Sequence, residues 1–144
     1  MIHCKEVKLS EEFHSDKVSP YLKAASCALA AFALYGLDKK LVITSVLRKP
    51  EDQVKFCRDG NFKSEFQHCA GEAVDIRSSN LSEPEIEKLL DFATSGLSAL
   101  CNLKHHAKGT GRHLHLNVVG KFRDKAKVWA IVKNTDGAEK CFVG

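Results

Sequence analysis

The sequence predicts one small α+β domain over residues 1–144, in which helices pack on one side of a mostly antiparallel sheet. Three observations lead to this fold class. The length suits a single domain. Hydrophobic residues make up 44% of the chain and charged residues 28%, which is typical of a globular protein. Segments with helical spacing of apolar residues alternate with short segments that have the two-residue period of a strand.

Two helices are predicted from their start signals. The first begins at Ser19-Pro20, because serine caps free backbone N–H groups and proline fits a first turn; it is expected to end at Gly36. The second follows the capping box from Ser82 to Glu85. Its amphipathic stripe consists of Ile86, Leu89, Leu90, Ala93 and Leu97. A turn or short helix is predicted over residues 50–56.

Four segments are predicted to be strands. Residues 41–47 are rich in β-branched side chains, and residues 73–77 and 113–119 alternate apolar with polar side chains. Residues 127–132 are predicted to form a further strand, with Trp129 packed in the core. Loops are predicted at residues 59–61, 104–111 and 136–137.

The apolar run at residues 24–37 is shorter than the roughly 20 residues that a transmembrane helix needs. Acidic residues (Glu6, Glu11, Glu12 and Asp16) precede it, whereas a secretory signal begins with a short basic region. We therefore expect neither a membrane partner nor a targeting segment.

The net charge of +4 is compatible with an anionic partner, either a cell-wall polymer or a nucleic acid. Residues 104–127 concentrate basic side chains but lack the interleaved aromatic residues that stack on single-stranded nucleic acid. The wall polymer is the favoured partner, and nucleic acid is the disfavoured one.

Six cysteines are scattered along the chain without a Cys-x-x-Cys pair. With no signal peptide expected, they are predicted to be reduced and mostly buried. Their even number leaves a disulfide as the alternative.

Two strands place chemically active side chains on one face of the predicted sheet. In residues 73–77 the aliphatic side chains face one way and Asp75 faces the other. In residues 113–119 His113 and His115 lie opposite the aliphatic positions. If these strands pair, Asp75 and His115 converge, and His68 returns to them through the turn at Gly71.

Two imidazoles and one carboxylate suit a catalytic zinc ion, with water in the fourth position. The same set holds iron(II) in oxygenases, but those enzymes place His and Asp two residues apart, whereas His68 and Asp75 are seven apart. Zinc, one ion per chain, is therefore the predicted cofactor.

The segment from His68 to Asp75 resembles the His-x-x-Gly-x-Ala-x-Asp signature of the zinc D-alanyl-D-alanine metallopeptidases, and His113-x-His115 is similar to the His-x-His of the wider hedgehog-like peptidase superfamily. Thr44-Ser45-Val46-Leu47-Arg48 stands where that family has a Ser-Gly-Tyr-Arg-like strand end. The resemblance covers residues 41–119, more than half of the chain.

This resemblance implies the hedgehog/D-Ala-D-Ala peptidase fold and a peptidase that hydrolyses peptidoglycan with a metal-activated water. The implied metal ligands are His68, Asp75 and His115. Arg48 would stabilise the oxyanion, and His113 would act beside the metal as general base. Ser45 and His106 are the expected substrate-binding residues. The family's habits further imply a phage-encoded lytic enzyme, made in the cytoplasm without a signal peptide, then released at host lysis or carried in the virion.

Two departures from the family pattern narrow the expected activity. Phe66 stands two residues before His68, where many members have a serine that contacts a substrate carboxylate, so an endopeptidase is favoured over a carboxypeptidase. Arg112 stands where family enzymes often have a carboxylate base. Two alternatives therefore remain open, namely an inactive zinc-binding module and a phage structural or nucleic-acid-binding protein with incidental histidines.

Overall fold

The computed structural model describes residues 2–107 and 111–144, and within them the chain forms an α+β fold with a five-stranded mixed sheet and six α-helices. The strands are β1 (His3–Cys4), β2 (Val42–Ser45), β3 (Ala73–Arg77), β4 (Cys101–His106) and β5 (His113–Val118). The helices are α1 (Val7–His14), α2 (Pro20–Leu37), α3 (Pro50–Gly60), α4 (Glu83–Gly96), α5 (Lys125–Lys133) and α6 (Ala138–Cys141).

The strand order is β1-β2-β3-β5-β4. Only the short β1 runs parallel to its neighbour, and the other three pairings are antiparallel. The sheet is therefore mostly antiparallel, as the alternating segments predicted. Its central pairing is β3 with β5, in which Asp75 lies opposite His115.

One face of the sheet is aliphatic and packs against α2 and α4. Ile43, Val74, Ile76, Leu114 and Leu116 are all buried in the same cluster as the inner residues of these helices. The two helices also contact each other through the stacked rings of Phe32 and Phe92, whose centroids are 4.3 Å apart. The serine cap of α2 and the capping box of α4 are both confirmed.

Not all of the helices belong to the core cluster on the aliphatic face of the sheet, whereas the sequence predicted helices packed together on one side. A second, separate cluster combines α3, α5 and α6 with the segment before β3. It includes Cys57, Phe66, Val132 and Cys141. This cluster supports the chain just before the metal-binding signature.

The prediction of a strand over residues 127–132 is wrong, because these residues lie within α5. The Asp124 side chain caps this helix by accepting a hydrogen bond from the Lys127 N–H at 3.0 Å. Val128 and Val132 are buried four residues apart, which is a helical spacing. Trp129 lies on the outer side of α5 with 48% of its surface exposed, so it is not a core residue.

Several predicted boundaries also differ from the structure. No element was predicted before residue 19, yet β1 and α1 lie there. Helix α3 extends four residues beyond the expected segment, to Gly60, and is capped by Asn61, which adopts a left-handed conformation with φ 53°. The predicted loop at 104–111 begins as the paired strand β4, and residues 108–110 of it lie outside the described residues.

Cys57 and Cys141 form a disulfide between α3 and α6, which corrects the expectation that all cysteines are reduced. Their Cα atoms are 6.2 Å apart, within the range that a disulfide spans. Of the four free cysteines only Cys101 is buried, and Cys27 is exposed.

Helix α2 is long and apolar enough to cross a membrane when judged by length and composition alone, which the shorter apolar run in the sequence did not suggest. A core helix of a globular protein and a signal sequence near the N-terminus both meet this criterion. Leu22, Leu29 and Ala33 of α2 are fully buried.

Gly71 joins the metal-binding signature to the N-terminal part of the chain. Its φ of +69° favours glycine, and a Cβ atom placed there would lie 2.0 Å from the Lys17 carbonyl oxygen. The Gly71 carbonyl also accepts a hydrogen bond from the Ser19 N–H at 2.8 Å. The close approach of two backbone segments therefore requires glycine at this position.

We predict that Gly71→Ala lowers the free energy of unfolding by about 3 kcal/mol or more, because the new methyl group must displace backbone. Chemical denaturation measures this change. Gly120→Ala is the matched control, since a Cβ there meets nothing within 4 Å. Equal stabilities of the two variants would contradict the assigned packing.

Candidate metal centre

The site lies on the face of the sheet opposite the aliphatic core. Directly opposed residues in antiparallel strands share a face, so the registers place Ser45, Asp75 and His115 in one row across β2, β3 and β5. His113 and His106 oppose each other in the next row. The predicted pairing of β3 with β5 is thus what brings the chemically active side chains together.

One carboxylate oxygen is the centre of this cluster. Asp75 Oδ1 lies 3.4 Å from His68 Nε2, 3.2 Å from His115 Nδ1 and 3.6 Å from His113 Nε2. Potential ligand atoms of His68, Asp75 and His115 all lie within 4.8 Å of one another. These three residues are therefore close enough to bind a single metal ion, as the sequence predicted.

The ring of His68 is held with one nitrogen free for a metal. Its Nδ1 donates to the Val46 carbonyl oxygen at 2.9 Å, because a carbonyl can only accept. In the neutral ring the lone pair is then on Nε2, which is the nitrogen nearest Asp75. A backbone acceptor that fixes the tautomer of a metal-binding histidine is the usual outer support of such sites.

His115 is held in the complementary way by Gln67, a residue that the sequence analysis did not identify. The His115 Nε2–H donates to Gln67 Oε1 at 2.9 Å, which leaves Nδ1 facing Asp75. The Gln67 amide is itself oriented, since its Nε2 donates to Glu65 Oε2 at 2.8 Å. The position of Gln67 next to His68 in the sequence indicates that it lies near the site. Its contact with His115 is visible only in the folded structure.

A buried ion pair fixes the segment that carries Gln67. Glu72 accepts hydrogen bonds from Arg123 Nε at 2.8 Å and from the Asp124 N–H at 2.6 Å. Arg123 also donates to the Glu65 carbonyl oxygen at 2.7 Å. The buried Glu72 thus ties residues beyond β5 to the stretch that precedes the metal ligands.

The carboxyl group of Asp75 is strongly biased toward its ionised form. Burial on its own would raise its pKa, but hydrogen bonds from His115 and His68 and the nearby charges of His68 and His113 outweigh burial and hold the pKa well below its usual range. The ionised carboxylate is the form that binds a metal ion. The nitrogens of His68 and His115 that face Asp75 would have to release their protons to bind the same ion.

His113 and His106 lie beside the three candidate ligands. His113 Nε2 is 3.6 Å from Asp75 Oδ1, and the ring centroid of His106 is 5.1 Å from that of His113. Burial first, and then the charges of His113 and His115, lower the pKa of His106. His105, the neighbour of His106, instead bonds Ser78 Oγ at 3.1 Å and stands at a register position opposite Leu114 of the aliphatic face.

A cavity of about 620 Å³ opens over the cluster. It is lined by all three candidate ligands and by His113, His106 and Arg48. Arg48 Nη1 donates to Gln53 Oε1 at 2.6 Å, and its guanidinium lies 5.2 Å from the centre of the Phe56 ring. Ser45 is adjacent to Asp75 in the sheet but is not among the described residues that line the cavity.

The two positions that depart from the family pattern have other roles. Phe66 is fully buried, with a φ of 56°, and belongs to the second core cluster rather than to the cavity wall. Arg112 forms an ion pair with Glu83. Apart from Asp75, Glu65 is the only carboxylate among the described residues that line the cavity, and it is already bonded to Gln67 and Arg123.

Cys69 follows a candidate ligand, and burial raises the pKa of its thiol to about 12. It does not belong to the group of ligand atoms that lie within 4.8 Å of one another among the described residues. The donor set of the site is therefore two imidazole nitrogens and a carboxylate oxygen.

No protein-family model, curated protein or solved structure matches this chain. Its function is accordingly inferred from the residues and geometry of the site.

Proposed function

We propose that this protein is a zinc-dependent peptidase with the hedgehog/D-Ala-D-Ala peptidase fold, which hydrolyses peptide bonds in the stems or cross-bridges of peptidoglycan. One observation carries the proposal. Ring nitrogens of His68 and His115, each oriented by a hydrogen bond on the opposite side of its ring, converge with Asp75 at the wall of a cavity. Three ligands beside an open space are the pattern of a catalytic zinc site rather than of a closed structural one.

Zinc bound by these residues would supply Lewis acidity and a water that loses its proton near neutral pH. The remaining work falls to side chains of the chain itself. His113 is the proposed general base, because it lies in the same cavity and its ring nitrogen is 3.6 Å from the ligand carboxylate. Ionised Asp75 stabilises the imidazolium that forms when His113 accepts a proton.

Arg48 is the proposed oxyanion donor. Gln53 fixes one of its amino groups, and Phe56 supports the guanidinium plane. The other N–H groups of Arg48 make no further hydrogen bond among residues 2–107 and 111–144, so they are available to a substrate carbonyl. His106 and Ser45 remain the proposed substrate contacts, with His106 supported by its place in the cavity wall.

The cavity favours an acidic peptide substrate cleaved internally. Arg48, Lys63 and Lys104 line it and would attract the carboxylates of a peptidoglycan stem. Phe66 is buried where a carboxypeptidase of this family would present a serine to the substrate's terminal carboxylate. An endopeptidase activity agrees with both features.

The second candidate is a zinc-binding module of the same fold without turnover, such as a phage structural protein. The ion pair of Arg112 with Glu83, in place of an acidic base at the metal, favours it. For the enzyme we propose synthesis in the cytoplasm and access to the wall at host lysis or as part of a virion.

The metal-binding part of the proposal predicts one zinc ion per chain after zinc loading and desalting. Asp75→Asn and His115→Ala are expected to lower the zinc affinity at least about a hundredfold, because each removes a ligand. His105→Ala is the matched control on the opposite face. Elemental analysis and a competitive chelator titration measure the stoichiometry and affinity, and an unchanged affinity in His115→Ala would refute the ligand assignment.

Gln67→Leu is predicted to weaken zinc binding by about 10- to 100-fold, because His115 loses the acceptor that orients its ring. The same chelator titration measures the loss. Asn102→Leu, which lines the same cavity without a hydrogen bond to His115 among the described residues, serves as the control. Equal affinities would show that Gln67 does not position the ligand.

His113→Ala is predicted to retain one zinc ion per chain but to lose about 10²- to 10⁴-fold in kcat, because the proton acceptor is removed. The assay follows soluble cross-linked muropeptides by chromatography, with His105→Ala again as the control. If the zinc-loaded wild-type protein releases no product from any peptidoglycan, the module without turnover is the better description.

A further inference from the structure

A second cavity of about 460 Å³ lies next to the cavity that His68, Asp75 and His115 line, which we call the metal cavity. Glu65, Gln67, Asn102 and Asn117 line both, so the two cavities share a wall. Gln67 is also the residue that bonds His115. The Gln67 side chain therefore lies between the second cavity and the candidate ligand His115.

The far wall of this second cavity is aromatic and exposed. Trp129 on α5 lines it and exposes 48% of its surface, and Val143 exposes 45%. The Trp129 ring lies next to Phe142, with centroids 6.1 Å apart. A half-exposed indole in a concave wall offers a flat apolar surface and an N–H donor to a ligand.

The polar lining of this cavity combines three amides (Gln67, Asn102 and Asn117) with the charged side chains of Glu65, Arg123 and Lys125. The charge of Arg123 is neutralised by Glu72 and Glu65. The Asn117 side chain donates to the Val118 carbonyl at 3.0 Å, which leaves its amide oxygen as an acceptor. Amide groups beside an indole suit a ligand with hydroxyl and acetamido groups better than they suit a chain of like charges.

We propose that the second cavity binds amino-sugar units of the glycan strand while the attached stem peptide occupies the metal cavity. The inference rests on the proposed function for the identity of the polymer. The C–H faces of a pyranose ring pack on the negative face of an indole, and its hydroxyl and acetamido groups hydrogen-bond to neighbouring amides. Trp129 is the proposed stacking platform, with Asn102 and Asn117 as its polar partners.

Trp129 is the only tryptophan in the chain, so its fluorescence reports directly on this cavity. The first experiment titrates the zinc-loaded protein with the peptide-free N-acetylglucosamine–N-acetylmuramic acid disaccharide. We expect a saturable change in intensity and a blue shift as the sugar covers the indole. A response to the free stem peptide or to phosphatidylglycerol vesicles, with none to the disaccharide, would overturn the proposal.

The second experiment separates a sugar contact from a structural role of Trp129. Calorimetry should show about tenfold weaker disaccharide binding for Trp129→Ala, with partial recovery in Trp129→Phe, which keeps an aromatic ring. Tyr35→Ala removes a more exposed aromatic residue on α2 and should bind as the wild type does. Unchanged binding in a folded Trp129→Ala protein would show that Trp129 is not the stacking platform. Asn102→Ala, at the wall that the two cavities share, is an independent variant and should also weaken disaccharide binding.

Turnover distinguishes this inference from the proposed function. In wild-type protein kcat/KM for a disaccharide-linked peptide should exceed that for the same peptide without sugar, and Trp129→Ala should lower this ratio toward one. Sugar binding without any hydrolysis would support the glycan site and contradict only the proposed peptidase activity. Hydrolysis of both substrates with equal kcat/KM would support the peptidase activity and contradict the glycan site.

Discussion

The carboxylate of Asp75 is the group on which the arrangement of the site depends. A single oxygen within 3.2–3.6 Å of three imidazole nitrogens is tolerable only if that oxygen is ionised or shares a cation with the rings. The surrounding fold determines the orientation and spacing of the rings around this oxygen. Val46 and Gln67 orient two of the rings, and the strand pairing of β3 with β5 sets their spacing. The contacts that orient the three candidate ligands are thus also contacts that hold the fold together.

The sequence was informative where local periodicity determines the geometry. In a strand alternate residues share a face, so the pattern around Asp75 and His115 predicted which side chains meet once the strands pair. The start signals at Ser19 and Ser82 were equally local, and both caps are present. The three candidate ligands converge once β3 pairs with β5 and the turn at Gly71 returns His68 to them.

The remaining features depend on contacts between distant segments. Residues 127–132 have the composition of a strand, but burial of Val128 and Val132 in the second cluster selects a helix. Cys57 and Cys141 pair only because α3 and α6 pack together. The hydrogen bond from His115 to Gln67 likewise joins residues 48 positions apart, so the local periodicity of the sequence does not predict it.

The contact of Gly71 with Lys17 has a consequence for how this molecule can change over time. The turn before α2 packs closely against the loop that contains His68 and Gly71, and the Ser19 N–H donates to the Gly71 carbonyl oxygen. Insertions in that turn would push the histidine loop out of place even though no residue there touches the cavity. Related proteins that keep the site should therefore vary in length elsewhere, and grafting this loop into another scaffold would require transplanting the N-terminal turn along with it.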